Sequence, residues 1–366
     1  MMSSLFERIS SILPPPNFLR LPSAGVDISD TSLKYIQFKP DNRSSERLLL
    51  QYWGDIEIAD GVLARGEVKD GAKLTEAIRQ VKAKTGVQYV RVSLPEEKAY
   101  LFETEIKKGT PFKEIRGQLE FRLEENVPIS PRDAYFDFHV FDDEVENNKL
   151  TVSVTVYAKE TINAYYDVCR AAGVTPLSFE VEAQAIARAA LPKRDKNTCL
   201  IVDFGKTRTG IGIVHRGMLM YTSTIDIGGK ELSSALRRQL GEKDEAELTK
   251  IKNERGLIKG VADNSVYEAL VSTVSAIKDE VALRIQYWDS KNDKREDRRI
   301  DKIILCGGSA NLKGLPEYFT ETLNVETKRA TVWQNAFDVE KSVPPIGLKH
   351  SYGYATAIGL GLAAFL

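Results

Sequence analysis

Apolar and polar positions alternate with a two-residue beat through residues 25–29 and 33–38, which predicts a hairpin, and residues 48–58 predict a further strand. Residues 74–85 change to the three- and four-residue spacing of an amphipathic helix, and residues 89–94 return as a strand before Pro95. From about residue 98 to 175 the chain reads as a small α+β module. It has a helix opened by Thr110-Pro111 and closed before Pro128, and strands around 135–141 and 150–157 joined by an acidic turn at 142–148. A helix over 160–172 then ends at Gly173. The pattern restarts with strands at 199–204 and 210–214. Helices follow at 229–240, 244–253 and 265–288, then a solvated charge run at 289–299, a strand at 303–305 and a Gly/Ala-rich helix over 352–366.

The first 22 residues stand apart. Leu5, Phe6, Ile9, Ile12 and Leu13 fall at helical spacing until Pro14-Pro15-Pro16 stops the helix. That segment suits either a short helix packed on its own protein or a docking element for a membrane or a partner groove. Arg8 is the single arginine before the prolines, which disfavours an electrostatic membrane anchor.

Composition narrows the function classes. At 366 residues, 42% hydrophobic and 28% charged, the chain suits two lobes of an ordinary globular protein. Its net charge of -1 lacks the basic excess that neutralising many phosphates of a nucleic acid requires, so nucleic acid is not expected as a partner. Cys169, Cys199 and Cys306 are far apart in or beside apolar runs, and read as buried free thiols of a reducing compartment. His139, His215 and His350 are equally scattered and suggest no metal cluster. With no signal peptide and no apolar run of ~18 residues, the expected location is cytoplasmic, with peripheral membrane contact.

An internal repeat carries the chemistry. Val26-Asp27-Ile28-Ser29-Asp30-Thr31 aligns with Val202-Asp203-Phe204-Gly205-Lys206-Thr207, with Val, Asp and Thr in register at an offset of 176 residues. Each copy predicts a buried strand that ends in aspartate, turns through small or hydroxyl residues, and re-enters a strand. Such a turn can aim backbone N–H groups and hydroxyls at phosphate oxygens. The aspartate would repel phosphate, so Asp27 and Asp203 are expected to face Mg²⁺ through water. One such hairpin is an ordinary turn. Two, half a chain apart, predict facing loops that grip a phosphate chain from both sides. A third element, the apolar run Ile303-Ile304-Leu305-Cys306 into Gly307-Gly308-Ser309, would let backbone approach a base and ribose without a Cβ clash.

This order of elements resembles the actin, Hsp70 and sugar-kinase superfamily from Ala24 onward. The resemblance implies an α/β actin-like ATPase fold: two ribonuclease-H-like lobes with an inserted α+β subdomain in the first. The expected divisions are an N-terminal amphipathic segment at 1–23 and a first lobe at 24–97 and 176–195, joined by a C-terminal helix at 340–366. The inserted module spans 98–175 and the second lobe 196–339, with its helical subdomain at about 228–299. Within the module, EIRGQLEFRLEENVPISPRDAYFDF (114–138), and further on FEVEAQAIARAAL (179–191), resemble the PilM family of FtsA-related actin-like proteins.

The family implies a cytoplasmic ATP-binding scaffold at the inner-membrane platform of a type IV pilus or type II secretion system. Its implied partners are the N-terminal tail of a PilN-like bitopic membrane protein, the motor and platform proteins, and other copies of itself. Carried over by position, Ser29, Thr31, Ser32 and Lys34 belong to the first phosphate hairpin and Gly205, Lys206 and Thr207 to the second. Gly307, Gly308 and Ser309 match the adenosine loop, Gln184 the water-positioning glutamine of the connecting helix, and Glu247 and Lys250 the pair flanking base and ribose.

There are departures. Ser29 replaces a common glycine, and Lys206 and Arg208 stand where actins have small residues, either reinforcing phosphate binding or remaining solvated. No general base is apparent, so ATP and Mg²⁺ binding is expected with weak or absent hydrolysis. Two other readings are an FtsA-like membrane-associated filament and a small-molecule kinase. The first would need the N-terminal segment as its membrane anchor, since none is expected after the last core helix, and the second lacks a recognisable aspartate base.

Overall fold

Two five-stranded sheets of matching order organise the chain, in a computed structural model that describes residues 21–41, 44–146, 148–260, 263–337 and 343–365. The predicted helix around Leu5, Phe6, Ile9, Ile12 and Leu13 lies outside the described residues.

The first lobe opens with β1 (Ser23–Ile28), β2 (Ser32–Asp41) and β3 (Ser44–Glu57), an antiparallel meander. A small ribbon, β4 (Leu63–Ala64) and β5 (Glu67–Val68), leads to α1 (Gly71–Thr85) and β6 (Tyr89–Leu94). Helix α1 starts where the Asp70 side chain accepts from Lys73 N–H at 3.0 Å, a cap that stabilises a helix by about 1 kcal/mol. It stops where Gly86 takes φ 68° and donates to Lys82 O. Its buried face, Leu74, Ala77, Ile78 and Val81, has the spacing read from the sequence.

The inserted module follows: β7 (Tyr100–Lys107), α2 (Phe112–Asn126), β8 (Ala134–Glu146) and β9 (Lys149–Ala158), in sheet order β7-β9-β8 with their own core around Leu119, Leu123 and Val154. The expected acidic turn at 142–148 is narrower than predicted. Strand β8 runs on to Glu146, its register shifting between Phe141 and Val145, and Asn148 takes φ 63° before β9. Helix α3 (Lys159–Ala171), expected inside the module, buries Tyr165, Val168 and Cys169 in the first lobe's core instead. Strand β10 (Thr175–Val181) then joins the first sheet, and α4 (Glu182–Ala190) leads to the second lobe.

That lobe repeats the plan with β11 (Thr198–Phe204), β12 (Thr209–His215) and β13 (Met218–Ile225). Helices α5 (Gly229–Leu240), α6 (Glu245–Glu254) and α7 (Ser265–Lys291) precede β14 (Ile300–Cys306), α8 (Leu315–Leu323) and β15 (Glu326–Arg329). Both sheets read as an antiparallel meander extended by two parallel strands, β3-β2-β1-β6-β10 and β13-β12-β11-β14-β15. Parallel pairing requires a crossover, and the helices supply it.

The chain closes with α9 (Leu348–Ser351) and α10 (Ala355–Leu362). Helix α10 lies directly on β1 and α4: a Cβ on Gly25 would stand 2.3 Å from Ala357 O, and one on Gly359 1.7 Å from Ala185 O. Bare backbone is required at both contacts. Residues Ala330, Val332, Trp333 and Ala336, expected in the second lobe, also pack in the first lobe's core. Among the described residues no helix is long and apolar enough to cross a membrane.

Candidate functional site

The turns β1–β2 and β11–β12 leave the same ends of their sheets and face each other across a cleft of about 550 Å³. The first turn braces itself: Ser29 N–H donates to Ser32 O at 2.9 Å, and Ser29 Oγ accepts from Ser32 N–H at 3.2 Å. Lys34 Nζ reaches Ser32 Oγ and lies 3.5 Å from Asp55. The second turn is fastened to the start of α5, where Gly229 N–H donates to Gly205 O at 3.0 Å and Lys230 N–H to Lys206 O at 2.8 Å. A Cβ on Gly228 would meet Lys206 O at 2.6 Å, so this seam also needs glycine.

The end of β14 supplies the third wall. Gly307 has φ +83°, and a Cβ there would stand 2.4 Å from Asp203 Oδ1 and 2.5 Å from Phe204 O. Gly308 has no described atom within 4 Å of the equivalent position and opens on the cleft. Ser309 Oγ donates to Gly205 O at 3.1 Å, tying this loop to the second hairpin. Gly353, just before α10, joins the lining beside Lys34 and Gly308.

Asp27, Ser29, Thr31, Ser32, Lys34, Asp203, Gly205, Lys206, Thr207, Gly307 and Gly308 therefore converge on one cavity. Four predicted residues do not line it: Ser309, which turns its hydroxyl back to the second hairpin, and Gln184, Glu247 and Lys250. Gln184 spends both ends of its amide on the β12–β13 turn, donating to Gly217 O at 3.0 Å and accepting from Leu219 N–H at 2.8 Å. Two residues earlier on α4, Glu182 lines the cleft; a two-residue step turns about 200° around a helix, which separates their faces. Glu247 and Lys250 are exposed on α6, with Glu247 paired to Lys243. The pair of that helix that meets α5 is Glu245 and Lys252, 3.3 Å apart, both bonded to Ser233 Oγ, with Lys252 the more buried of the two.

Sequence reasoning also missed Glu96, Glu182 and Asp30. Glu96 follows Pro95 at the C-terminal end of β6, and the ends of parallel strands are where open α/β sheets place ligands. Arg208 neither lies free nor points at the cavity alone: it ion-pairs with Asp30 and Glu97, bridging the two lobes.

Carboxyls crowd this site. Burial raises Asp27 above the ordinary carboxylate range, against Lys34 and a hydrogen bond of 3.1 Å from Ser93 Oγ. Burial, then the charge of Asp27, pushes Asp203 up to about 7. Burial, then Asp203, pushes Glu96 up to about 8, with the Ala183 backbone bond and a Thr222 side-chain hydrogen bond opposing. Glu182 is held well above the usual range by burial and by Asp27, Glu96 and Asp203. Mutually raised acids of this kind are relieved by a cation. Among the described residues no three acidic, histidine or cysteine groups converge to ligate an ion directly. Asp27 and Asp203, facing one cavity, offer the oxygen donors that suit Mg²⁺, an ion that readily keeps its own water.

The overall likeness is to actin-like proteins. The solved PilM-PilN type IV pilus biogenesis complex matches at TM-score 0.74 and 20% identity, over 95% of this chain and 99% of that one. MreB5 of Spiroplasma citri bound to ADP matches at 0.55 and 14%, over 89% and 96%. The ethanolamine utilization protein EutJ from Carboxydothermus hydrogenoformans matches at 0.52 and 18%, over 96% and 90%. These likenesses establish the actin-like fold. A family profile described as type IV pilus assembly protein PilM matches residues 25–365, almost the whole chain, and the protein therefore belongs to the PilM family of type IV pilus assembly proteins.

Proposed function

We propose that this chain is an ATP-binding scaffold of the pilus assembly platform that takes Mg²⁺-ATP between its two hairpins and captures the N-terminal tail of a PilN-like membrane protein. The observation that carries the nucleotide reading is the pairing of two equivalent Asp-ended turns across one cavity, with Gly307-Gly308 on the third side. Ser29, Ser32 and Lys34 on one side and Gly205 and Thr207 on the other would hold the phosphates. Asp27 and Asp203 would hold the hydrated ion, which supplies charge neutralisation there. The fold neighbour MreB5, solved with ADP, supports a nucleotide in such a cleft.

The partner reading draws on the PilM-PilN complex and on how the inserted module is seated. The module is part of the first lobe's chain, yet Phe141 packs in the second lobe's core and Ser153 Oγ donates to Leu219 O at 3.3 Å. Arg298, 2% exposed by side chain, pairs with Glu103 of β7. A nucleotide gripped by both lobes stabilises their closed arrangement, and these ties would carry that change to a peptide held beside the module. The chain would reach the inner membrane through this partner, as a peripheral protein that can assemble with further copies.

Calorimetric titration with a PilN-like tail peptide, with and without Mg²⁺-ATP, tests the scheme. The expected result is a shift in peptide affinity of about fivefold or more, the lower end of typical coupling. Identical affinities would remove the coupling, and no binding in either state would remove the partner.

A further inference from the structure

Helix α2 of the inserted module turns three residues inward: Ile115, Leu119 and Leu123 are buried in the module's own core. Every other residue of the helix is exposed. On the outward side Lys113, Gly117, Phe121 and Glu125 follow one another at four-residue spacing, so they form a single ridge along the helix. Phe121 is 85% exposed, the most exposed aromatic among the described residues. A Cβ on Gly117 would have no neighbour within 4 Å. Glycine in a helix interior weakens the helix relative to alanine, and no contact among the described residues requires it here. Lys113 and Glu125 make no ion pair among the described residues. From its N-terminal end the ridge runs cation, gap, aromatic, anion. A second copy laid antiparallel presents the reverse order. Phe121 then meets the partner's Gly117, and Lys113 meets the partner's Glu125. Glu114, Glu120 and Glu124 share the exposed surface and would repel an anionic lipid surface. What fits must carry both charges in reverse order, and the helix itself does.

We propose that α2 is a two-fold interface between copies of this chain. Two helices cross antiparallel through the ridge Lys113-Gly117-Phe121-Glu125, each Phe121 seated in the notch over the other's Gly117. Rows at four-residue spacing interdigitate at a crossing of about 50°, with axes about 8–10 Å apart, and bare Gly117 allows the near end of that range. The contact is isologous, so each pairing forms twice and the surface is used up in a closed dimer. One helix pair falls in the small class of interfaces, below about 1,200 Å² of buried surface. The dimer is therefore weak and governed by concentration, which suits copies gathered on a common platform. This rests on the scaffold reading above only for its assembly with further copies, and needs neither nucleotide nor tail peptide.

The test is sedimentation equilibrium of the full chain, without nucleotide or peptide, over about 1 to 200 µM. The wild-type mass should rise from 40.9 kDa toward twice that value. Phe121→Ala and Gly117→Gln should each weaken dimerisation about tenfold or more, the scale of losing a central contact. Gly117→Gln should nevertheless melt no lower than the wild type, because a helix-forming residue replaces an exposed glycine, which separates loss of the dimer from loss of the fold. Lys113→Glu sets like charges opposite each other at both ends and should weaken the dimer about tenfold. Adding Glu125→Lys to it should restore affinity to within about threefold of the wild type. A double variant as weak as the single one overturns the antiparallel pairing and the proposal with it. A Gly117→Gln variant that melts lower would give that glycine a structural role and overturn it too. A dimer indifferent to Phe121→Ala and Gly117→Gln forms through another surface, which overturns the proposal but leaves assembly with further copies standing. A wild type that stays monomeric throughout removes both.

Discussion

Asp27, Glu96, Glu182 and Asp203 all hold their protons more tightly in the folded cleft than in an open chain. The folded state therefore binds more protons than the unfolded state as pH rises from the ordinary carboxylate value of about 4. Stability is fully present below that value and is lost as pH climbs through the folded values of about 7 for Asp203 and about 8 for Glu96. Calorimetric melting of nucleotide-free protein should show a falling melting temperature from about pH 5 to pH 8, with each group contributing up to about 1.4 kcal/mol per pH unit. Mg²⁺-ATP should flatten the slope. The glycines make a sharper contrast. Gly307→Ala must fit a side chain at φ +83° against Asp203 and Phe204, and should lose about 1–3 kcal/mol in urea unfolding together with nucleotide affinity. Gly308→Ala meets nothing, so its melting should stay unchanged and only ligand affinity should respond. The aspartates of the hairpins were legible because they repeat in register. Glu96 was not: in the string Pro95-Glu96-Glu97-Lys98 it looks like a solvated turn, and only the position of β6 beside β1 reveals where it stands. Gln184 was misplaced for a reason of helix geometry, since the right helix was named but its cleft-facing residue is Glu182.

At the scale of elements, strongly patterned segments were readable and weakly patterned ones were not. Strand β6 appears at its predicted residues, and α5 likewise. Strands β7, β10, β13 and β15 were missed. Strand β10 is half-buried nearly throughout and carries Pro176, so neither alternation nor an apolar run marks it. Strand β7 does alternate, with Phe102, Thr104 and Ile106 buried, but it lies in the module, which was read mainly from its helices and later strands. The Gly/Ala-rich C-terminal run was read as a close-packing helix, and α10 meets α4 and β1 through bare backbone. Gly359→Ala should therefore force α10 away from Ala185 and cost about 1–3 kcal/mol or more, measurable as a lower urea midpoint at unchanged slope. Because α10 begins just after Gly353 in the cleft lining, the same variant should also weaken nucleotide binding.

For the molecule as a whole, the account is one of two like halves brought to bear on one ligand. The cleft is spanned by the Arg208 pairs to Asp30 and Glu97 and, at its rim, by Arg65 and Asp226 at 2.7 Å, so the lobes are already linked by charge. A polyphosphate entering between the hairpins would compete for Arg208 with those carboxylates. Its affinity must then come from the turns and from the hydrated ion held between their acidic ends. Calorimetric titration of Mg²⁺-ATP into wild type and the Asp27→Asn, Asp203→Asn double variant tests this most directly. The account predicts Mg²⁺-dependent binding by the wild type and a loss of about 10²-fold or more in the variant, at the scale of two charge-assisted contacts. Equal, Mg²⁺-dependent affinity in both proteins would contradict it.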